Sequence, residues 1–379
     1  MSFELRVAGS GLDRRYMYQA LALSLRAAPW PNPRVGAVLV KDGKIIGTGY
    51  HAKRGSPHAE KVAIASVKNK KLLKGSTLYV TLEPCCHEKG MDGKLTPPCV
   101  QVIVKSGISR VVIGMKDPNP NVNGKGINAL KKAGIDVRAG ILEKEISEAN
   151  KPYLKLTKTK MPYVTLKCAV SLDGKLATQS GDSKWLSSMP SRVHAHRLRA
   201  ENDAILVGIN TVLNDDPQLT TRLAKGRNPI RILLDSRFRV PIGANILKQG
   251  NAVVFTTAKS ASRFSKKAQK IISQGCNIVT LSGNMAVEGR LSLAAVLKKL
   301  PSLGVSTLLV EGGGKTISAF IKQKLADELI LFITPWLIGE GGIPFVDFKS
   351  AKKLGKSLKL NSLSCTTVGD DVLLRALFR

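Results

Sequence analysis

The chain has 379 residues, 43% hydrophobic and 23% charged, which suits two folded domains and excludes a disordered, solvating sequence. Lys and Arg number 59 against 27 Asp and Glu, a formal charge of +32, but the excess is shared evenly between residues 1–160 and 161–379. It is mostly scattered lysine, with no basic tail of the kind that marks a nucleic-acid arm. No apolar run approaches the ~18–20 residues of a membrane helix, and the N-terminus lacks a basic-then-apolar signal layout, so a cytoplasmic protein with no membrane association is expected.

In chain order, residues 15–28 have helix-forming composition, and 35–40 and 44–50 read as strands joined at Asp42-Gly43, a hairpin turn pair. Residues 58–67 look helical, 76–82 β-rich, 98–105 helical, 110–115 a strand, 126–133 a helix ended by Gly134, and 136–139 a short strand. A lysine- and threonine-rich stretch, 151–160, separates this series from the next. Strands are then expected at 164–170, 204–209, 230–235, 252–256, 277–281, 307–310 and 328–334, with helices at 191–200 and 262–273. Such alternation implies sheets covered by helices, so the fold class is α/β in both domains, 1–148 and 149–379, meeting near residues 146–161.

Six cysteines are no disulfide framework in a chain this long. Cys168, Cys276 and Cys365 stand alone and read as small core residues. Cys85, Cys86 and Cys99 instead cluster around one polar loop. Three pieces belong together: His58-Ala59-Glu60, Glu83-Pro84-Cys85-Cys86-His87, and Thr96-Pro97-Pro98-Cys99. A hydrolytic zinc site needs three protein ligands and an open position for water, and one imidazole with two thiolates meets that count. The metal makes a nucleophile of water near neutral pH. Glu60, two residues beyond His58 at a helix start, can face the same cavity without ligating and can carry protons from the water to the departing amine. His58, Cys85 and Cys99 are the expected ligands and Glu60 the catalytic carboxylate. Cys86 reads as a neighbour, because adjacent side chains seldom reach one small ion together. His87 is either a substrate contact or a solvent-facing loop residue. The order of the pieces resembles the His-x-Glu…Pro-Cys arrangement of the zinc-dependent base deaminases, although thirteen residues rather than the usual two lie between the cysteines.

With Pro31-Asn32-Pro33-Arg34-Val35-Gly36 and Asp117-Pro118-Asn119-Pro120 added, the first 150 residues resemble the deaminase half of the bifunctional riboflavin-biosynthesis deaminase–reductases. The remainder is similar to the reductase half through Ser171-Leu172-Asp173-Gly174, Ser183-Lys184-Trp185, Asn214-Asp215-Asp216-Pro217, Leu234-Asp235-Ser236 and Val310-Glu311-Gly312-Gly313. The resemblance implies a cytidine-deaminase-like α/β/α domain followed by a dihydrofolate-reductase-like α/β domain. It implies removal of the 2-amino group of a diaminopyrimidinone ribosylamine 5′-phosphate, then NADPH reduction of the ribosyl chain to ribityl, with Zn2+ and NADPH as cofactors. The loop 88–95 is longer than the family's, Cys86 stands where the family has serine, and the family's basic residue before the threonine corresponds to Lys94, with Leu95 intervening.

By motif match, Asn32, His51, His87, Asp117 and Asn119 would surround the phosphorylated pyrimidine. Read alone, Asp117-Pro118-Asn119-Pro120 is turn chemistry. In the second half, Gly312-Gly313-Gly314-Lys315-Thr316 sits where a strand gives way to a helix, a place where free amides attract phosphate. No Gly-x-Gly-x-x-Gly follows a first strand, so a Rossmann fold is not expected. The resemblance places the cofactor against Ala169, Trp185, Thr211, Asp215 and Ser236. It adds the segment Gly313, Gly314, Lys315, Thr316, Ile317, Ser318 and Ala319. Ser183, Arg199, Leu219, Arg222 and Glu311 would meet the substrate, and the two arginines suit a phosphate. The proton donor of the reductive step stays open between Asp215 and Glu311. A homodimer or higher homo-oligomer is expected, and no nucleic acid. A nucleic-acid base deaminase would explain the zinc motif but leave the second half idle, and a non-catalytic scaffold would not need Glu60.

Overall fold

The Asp42-Gly43 pair turns as expected: both residues take positive φ (49° and 72°), as a tight hairpin turn requires, and they join β1 (Gly36–Lys41) to β2 (Lys44–Tyr50). The computed structural model describes residues 2–87, 96–287 and 290–378; the loop 88–95, with Lys94, lies outside the described residues. Two compact units divide the chain, Met1–Lys160 and Met161–Arg379.

In the first unit, β1 and β2 are followed by β3 (Thr77–Leu82), β4 (Arg110–Met115) and β5 (Asp136–Ala139), in the order β2-β1-β3-β4-β5. β1 is antiparallel to β2 and β3, and β3, β4 and β5 run parallel. The helices are α1 (Ser2–Ser24), α2 (Ala59–Ser66), α3 (Cys99–Lys105), α4 (Lys125–Lys132), α5 (Glu143–Ala149) and α6 (Lys151–Thr159). Val38, Leu39, Leu78, Val80, Val111 and Ile113 are inaccessible in one core with Met17, Ile103 and Leu130 from the helices. Two glycines decide where α2 lies. A Cβ on Gly47 would meet the Ala63 carbonyl, and one on Gly49 the Ala59 carbonyl, so only bare backbone on β2 lets α2 approach so closely. The 151–160 stretch is not a bare separator: it is α6, and Tyr153 and Leu154 pack against the first core. Residues 149–160, which the expected boundary put with the second domain, therefore fold with the first unit.

The second unit is built on β6 (Tyr163–Ser171), β8 (Ala204–Gly208), β9 (Ile230–Leu234), β10 (Ala252–Thr257), β11 (Asn277–Leu281), β14 (Thr307–Val310) and β15 (Glu328–Thr334), with β17 (Asn361–Val368) and β18 (Asp371–Leu377) at one edge. The order is β11-β10-β9-β8-β14-β6-β15-β18-β17, parallel from β11 to β15 and antiparallel thereafter. Helices α7 (Met189–Glu201), α8 (Ile209–Asp215), α9 (Ala258–Arg263), α10 (Ser265–Ser273), α11 (Leu293–Lys299) and α12 (Gly314–Lys322) cover it. Short strands β7 (Lys175–Ala177) and β16 (Ile343–Pro344) pair, as do β12 (Ala286–Val287) and β13 (Arg290–Leu291). The strand period of two sorts side chains between two cores: Ala204 and Leu206 face one, Ile205 and Val207 the other.

Three expectations change. The helix expected over 262–273 is two helices, breaking at Phe264. The C-terminal strands β17 and β18 had no counterpart in the sequence reading. Cys168 and Cys276 are buried as expected, but Cys365 is exposed, because β17 is an edge strand whose residues from Asn361 to Thr367 all face solvent.

Candidate active sites

In the first unit, His58 is the residue before α2, in extended conformation, and Glu60 lies buried in the helix's first turn. Cys85 follows β3, and Cys99 opens α3 with its backbone N–H on the Cys85 carbonyl at 3.0 Å. That bond closes the loop between the cysteines and brings their sulfurs to one imidazole: His58 Nδ1 is 3.5 Å from Cys85 Sγ and 3.3 Å from Cys99 Sγ. The three donor atoms lie within 4.8 Å of one another. Ligands at ~2.0–2.3 Å around a tetrahedral ion stand roughly 3.3–3.8 Å apart, as the two nitrogen–sulfur distances do, so the set fits zinc. Thr96 Oγ1 stands 3.0 Å from His58 Nε2; with the proton on Nε2 donated to the hydroxyl, Nδ1 is left to ligate. Cys86 is not part of this group: its thiol points to the Asn121 carbonyl and packs against the core.

A cavity of about 280 Å³ opens beside the donors, lined by Asn32, His51, Glu60, His87, Asp117 and Asn119 among others, so every residue expected around the pyrimidine reaches it. Burial lifts the Glu60 carboxyl above its ordinary range, while neighbouring His58 pulls it down. His51 is buried, and its Nδ1 faces the Pro57 carbonyl at 3.2 Å. Nδ1–H therefore donates there, and Nε2 accepts from Asn32 Nδ2 at 2.9 Å. Burial lowers the His51 pKa, which agrees with this neutral ring. The Asp117-to-Asn121 segment is the pair of side-chain turns its composition suggested: Asn119 N–H donates to Asp117 Oδ1 (2.9 Å) and Asn121 N–H to Asn119 Oδ1 (3.0 Å). Three residues escaped the sequence reading. Buried Glu83 accepts from the N–H groups of Asp117, Gly124 and Ile127. Exposed Arg54 lines the cavity mouth, and so does Tyr153, whose helix read as a separator.

In the second unit most expected residues gather at the C-terminal ends of parallel strands, where α/β sheets bind ligands. Ala169 is on β6, Thr211 and Asp215 on α8 after β8, Ser236 just beyond β9, and 313–319 span the step from β14 into α12. The glycine triplet divides its work. A Cβ on Gly312 would stand 2.6 Å from Thr316 Cβ, and one on Gly314 2.5 Å from the Pro344 carbonyl, so both are required by packing. Gly313 meets nothing within 4 Å and is the residue before α12, open for a phosphate. Ser318 is buried and accepts from Asp347 N–H at 2.6 Å, a structural bond rather than an open contact.

Glu311, at the end of β14, is gripped by Arg199: Nε and Nη2 reach its two oxygens at 2.8 Å each. Arg199 Nη1 also donates to the Thr220 carbonyl, so this arginine holds a carboxylate and a loop. Lys167 Nζ lies 3.9 Å from Glu311 Oε2. Burial opposes the charge on Glu311, but Arg199 and then Lys167 outweigh it and hold the carboxyl down at about 2. Arg222 N–H donates to buried His196 Nδ1 (2.9 Å), and burial with Arg199 and Arg222 nearby lowers His196 to about 4. Leu219, at positive φ (54°), is buried in the same loop. Ser183 and Trp185 stand apart, in the exposed segment 179–185; among the described residues no hydrogen bond ties either to the Arg199–Glu311 pair, and Trp185 is capped by Arg192 at 4.1 Å. Lys167 was also missed, although a lysine inside the apolar run of β6 is a signal, and its side chain is only 15% exposed.

Comparison with known proteins covers both units. Residues 10–115 match the family model for the cytidine and deoxycytidylate deaminase zinc-binding region, and residues 162–374 match the RibD C-terminal domain. The chain is 42% identical over 366 residues to the riboflavin biosynthesis protein RibD of Aquifex aeolicus, covering 96% of this chain and 98% of that one. To the Escherichia coli protein of the same name it is 37% identical, covering 96% and 98%. The solved structure of Acinetobacter baumannii RibD superposes with a TM-score of 0.84 at 33% identity, over 97% of this chain and 99% of that one. A Thermotoga maritima structure, described as a diaminohydroxyphosphoribosylaminopyrimidine deaminase/5-amino-6-(5-phosphoribosylamino)uracil reductase, does so with 0.82 at 35% identity, over 98% and 100%.

Proposed function

The chain belongs to the RibD family, and from that premise we propose how its residues divide the work of two reactions. It is a bifunctional enzyme of riboflavin biosynthesis, a zinc-dependent deaminase followed by an NADPH-dependent reductase. The substrates we assign are a 2,5-diamino-6-(phosphoribosylamino)pyrimidinone and its deaminated product. The observation that carries this reading is the convergence of His58, Cys85 and Cys99 donors beside buried Glu60 in one cavity.

In the first unit, His58, Cys85 and Cys99 would hold the metal, with Thr96 fixing the imidazole tautomer. Bound zinc supplies an activated water at neutral pH. Glu60, poised by burial to take up a proton, receives one at its carboxylate and delivers it to the departing amine, so that ammonia leaves. Asn32, oriented by neutral His51, offers its amide oxygen and second N–H to the pyrimidine edge. Asp117 and Asn119 are assigned to the ribosyl phosphate side, with His87 at the wall. In the second unit, bound NADPH would supply the hydride, and the residues that hold it would set its position against the sugar's C1′. Ala169, Thr211, Asp215, Ser236 and the Gly313 helix start are assigned to the cofactor, with Trp185 and Ser183 completing the site from their loop. Glu311, held ionised, does not carry a proton to donate at neutral pH. Lys167, with three N–H groups, is the better donor to the sugar's nitrogen side, and Arg222 is the freer phosphate partner of the two arginines.

We also read the chain as cytoplasmic, since its six cysteines are all free. No described helix is long and apolar enough to cross a membrane. We assign no nucleic-acid partner to its evenly spread charge. A homodimer or higher homo-oligomer is supported by the exposed edge strand β17, with Leu363 69% exposed.

The direct test pairs two variants. Glu60→Gln should abolish ammonia release while NADPH oxidation with the deaminated intermediate survives. Glu311→Gln should do the reverse. Loss of both activities in either variant would refute the division of labour.

A further inference from the structure

Helix α6 reaches the deaminase cavity through Tyr153, whose hydroxyl donates to Asp117 Oδ1 at 2.6 Å. The same oxygen accepts from Asn119 N–H, so both described hydrogen bonds to this carboxylate fall on Oδ1. Oδ2 has no hydrogen-bond partner among the described residues, and Asp117 lines the cavity. A planar carboxylate pinned at one oxygen from two directions has its second oxygen's lone pairs aimed. One helical turn earlier, at the α5–α6 corner, Asn150 is fully buried and bonds both the N–H (2.8 Å) and the carbonyl (3.1 Å) of Arg34, holding the loop that carries Asn32. The α5–α6 segment thus braces two walls of the cavity. Asn150 does so by holding the Arg34 backbone with its side-chain amide, while Tyr153 acts directly on a side chain facing the ligand space.

We propose that Tyr153 is a positioning residue of the deaminase: it fixes the Asp117 carboxylate so that Oδ2 accepts from vicinal hydroxyls of a sugar-phosphate substrate. This rests on the assignment of Asp117 as a substrate contact. Burial raises Asp117 to about 6, and the Tyr153 and Asn119 donors oppose that rise, so they favour the charged acceptor. A phenylalanine would fill the same space and pack α6 equally well, so the hydroxyl is free to serve the site rather than the core.

The test uses the full chain with the pyrimidine ribosylamine phosphate, measuring ammonia release. Tyr153→Phe should raise KM about tenfold with kcat within twofold, since a hydrogen bond to a charged group that only binds is lost. Asp117→Ala should raise KM at least as much, and Tyr153→Phe added to Asp117→Ala should cost nothing further. Zinc content and NADPH oxidation should be unchanged throughout, which separates positioning from misfolding. If Asp117→Ala raises KM and Tyr153→Phe does not, Tyr153 is only a packing residue and the proposal fails. A fall in kcat with KM unchanged, or additive losses in the double variant, would equally overturn it. Should Asp117→Ala leave KM unchanged, the assignment of Asp117 itself is wrong, and Tyr153 has no carboxylate to act through.

Discussion

Two thiols one residue apart, Cys85 and Cys86, have opposite fates, and backbone direction decides between them. Cys85 receives the Cys99 N–H on its carbonyl and turns its sulfur to His58, while Cys86 turns to the Asn121 carbonyl. Cys99→Ser should therefore remove most of the bound zinc, and Cys86→Ser should remove none, measured by metal analysis of the purified variants. His196 gives a second prediction at this scale. Its folded-state pKa of about 4 lies below the ordinary 6.5, because burial and two arginines disfavour the imidazolium. The unfolded chain then binds the extra proton between those values, so the stabilising contribution is complete above pH 6.5 and is lost as pH falls from 6.5 through 4. His196→Asn keeps an acceptor for Arg222 N–H and removes the titration. Its urea midpoint should vary less than the wild type's between pH 7 and 4.5, and an identical fall in both proteins would contradict the assignment. The residues legible in the sequence were those whose type announces chemistry in a motif, such as His58, Glu60 and Cys99. Glu83 and Lys167 were not, because a lone acid or lysine shows its role only when its neighbours are known.

At the scale of elements, glycine placement does what side chains cannot. Gly126 on α4 is packed so tightly on the segment after β3 that an added Cβ would run into the Pro84 carbonyl and stand 3.1 Å from Glu83 Oε1. Gly126→Ala should cost about 1–3 kcal/mol by overpacking and should loosen the Cys85 segment, read as a lower Tm together with weaker zinc retention. Gly314→Ala, which would press on the Pro344 carbonyl, should weaken NADPH binding several-fold in fluorescence titration while ammonia release is untouched. Strands and helices with strong periodicity, such as β4, β5, β11, β14 and β15, were readable to the residue. α6 was not, since its lysines and threonines have the composition of a linker and only Tyr153 and Leu154 meet the core. β17 escaped for a related reason: an edge strand exposed on both faces carries no alternation of burial to betray it.

Across the whole molecule, two compact units hold two chemistries, and the +32 charge is common to both rather than the mark of a third. The fold class was legible because alternation and two sets of motifs pointed the same way, and residues 10–115 and 162–374 match their separate families accordingly. The assembly was not, because association depends on what covers a surface such as β17. Leu363→Lys should shift the sedimentation profile toward the monomer, and an unchanged profile would show that copies do not meet at that edge. The most direct test of the account is metal analysis of the purified wild-type chain coupled to ammonia release from the diaminopyrimidine phosphate, before and after chelation. The expected result is about one zinc per chain, ammonia release that stops on stripping and returns with zinc, and an unaffected reductase. A well-folded, metal-free chain that still liberates ammonia at the wild-type rate would contradict it.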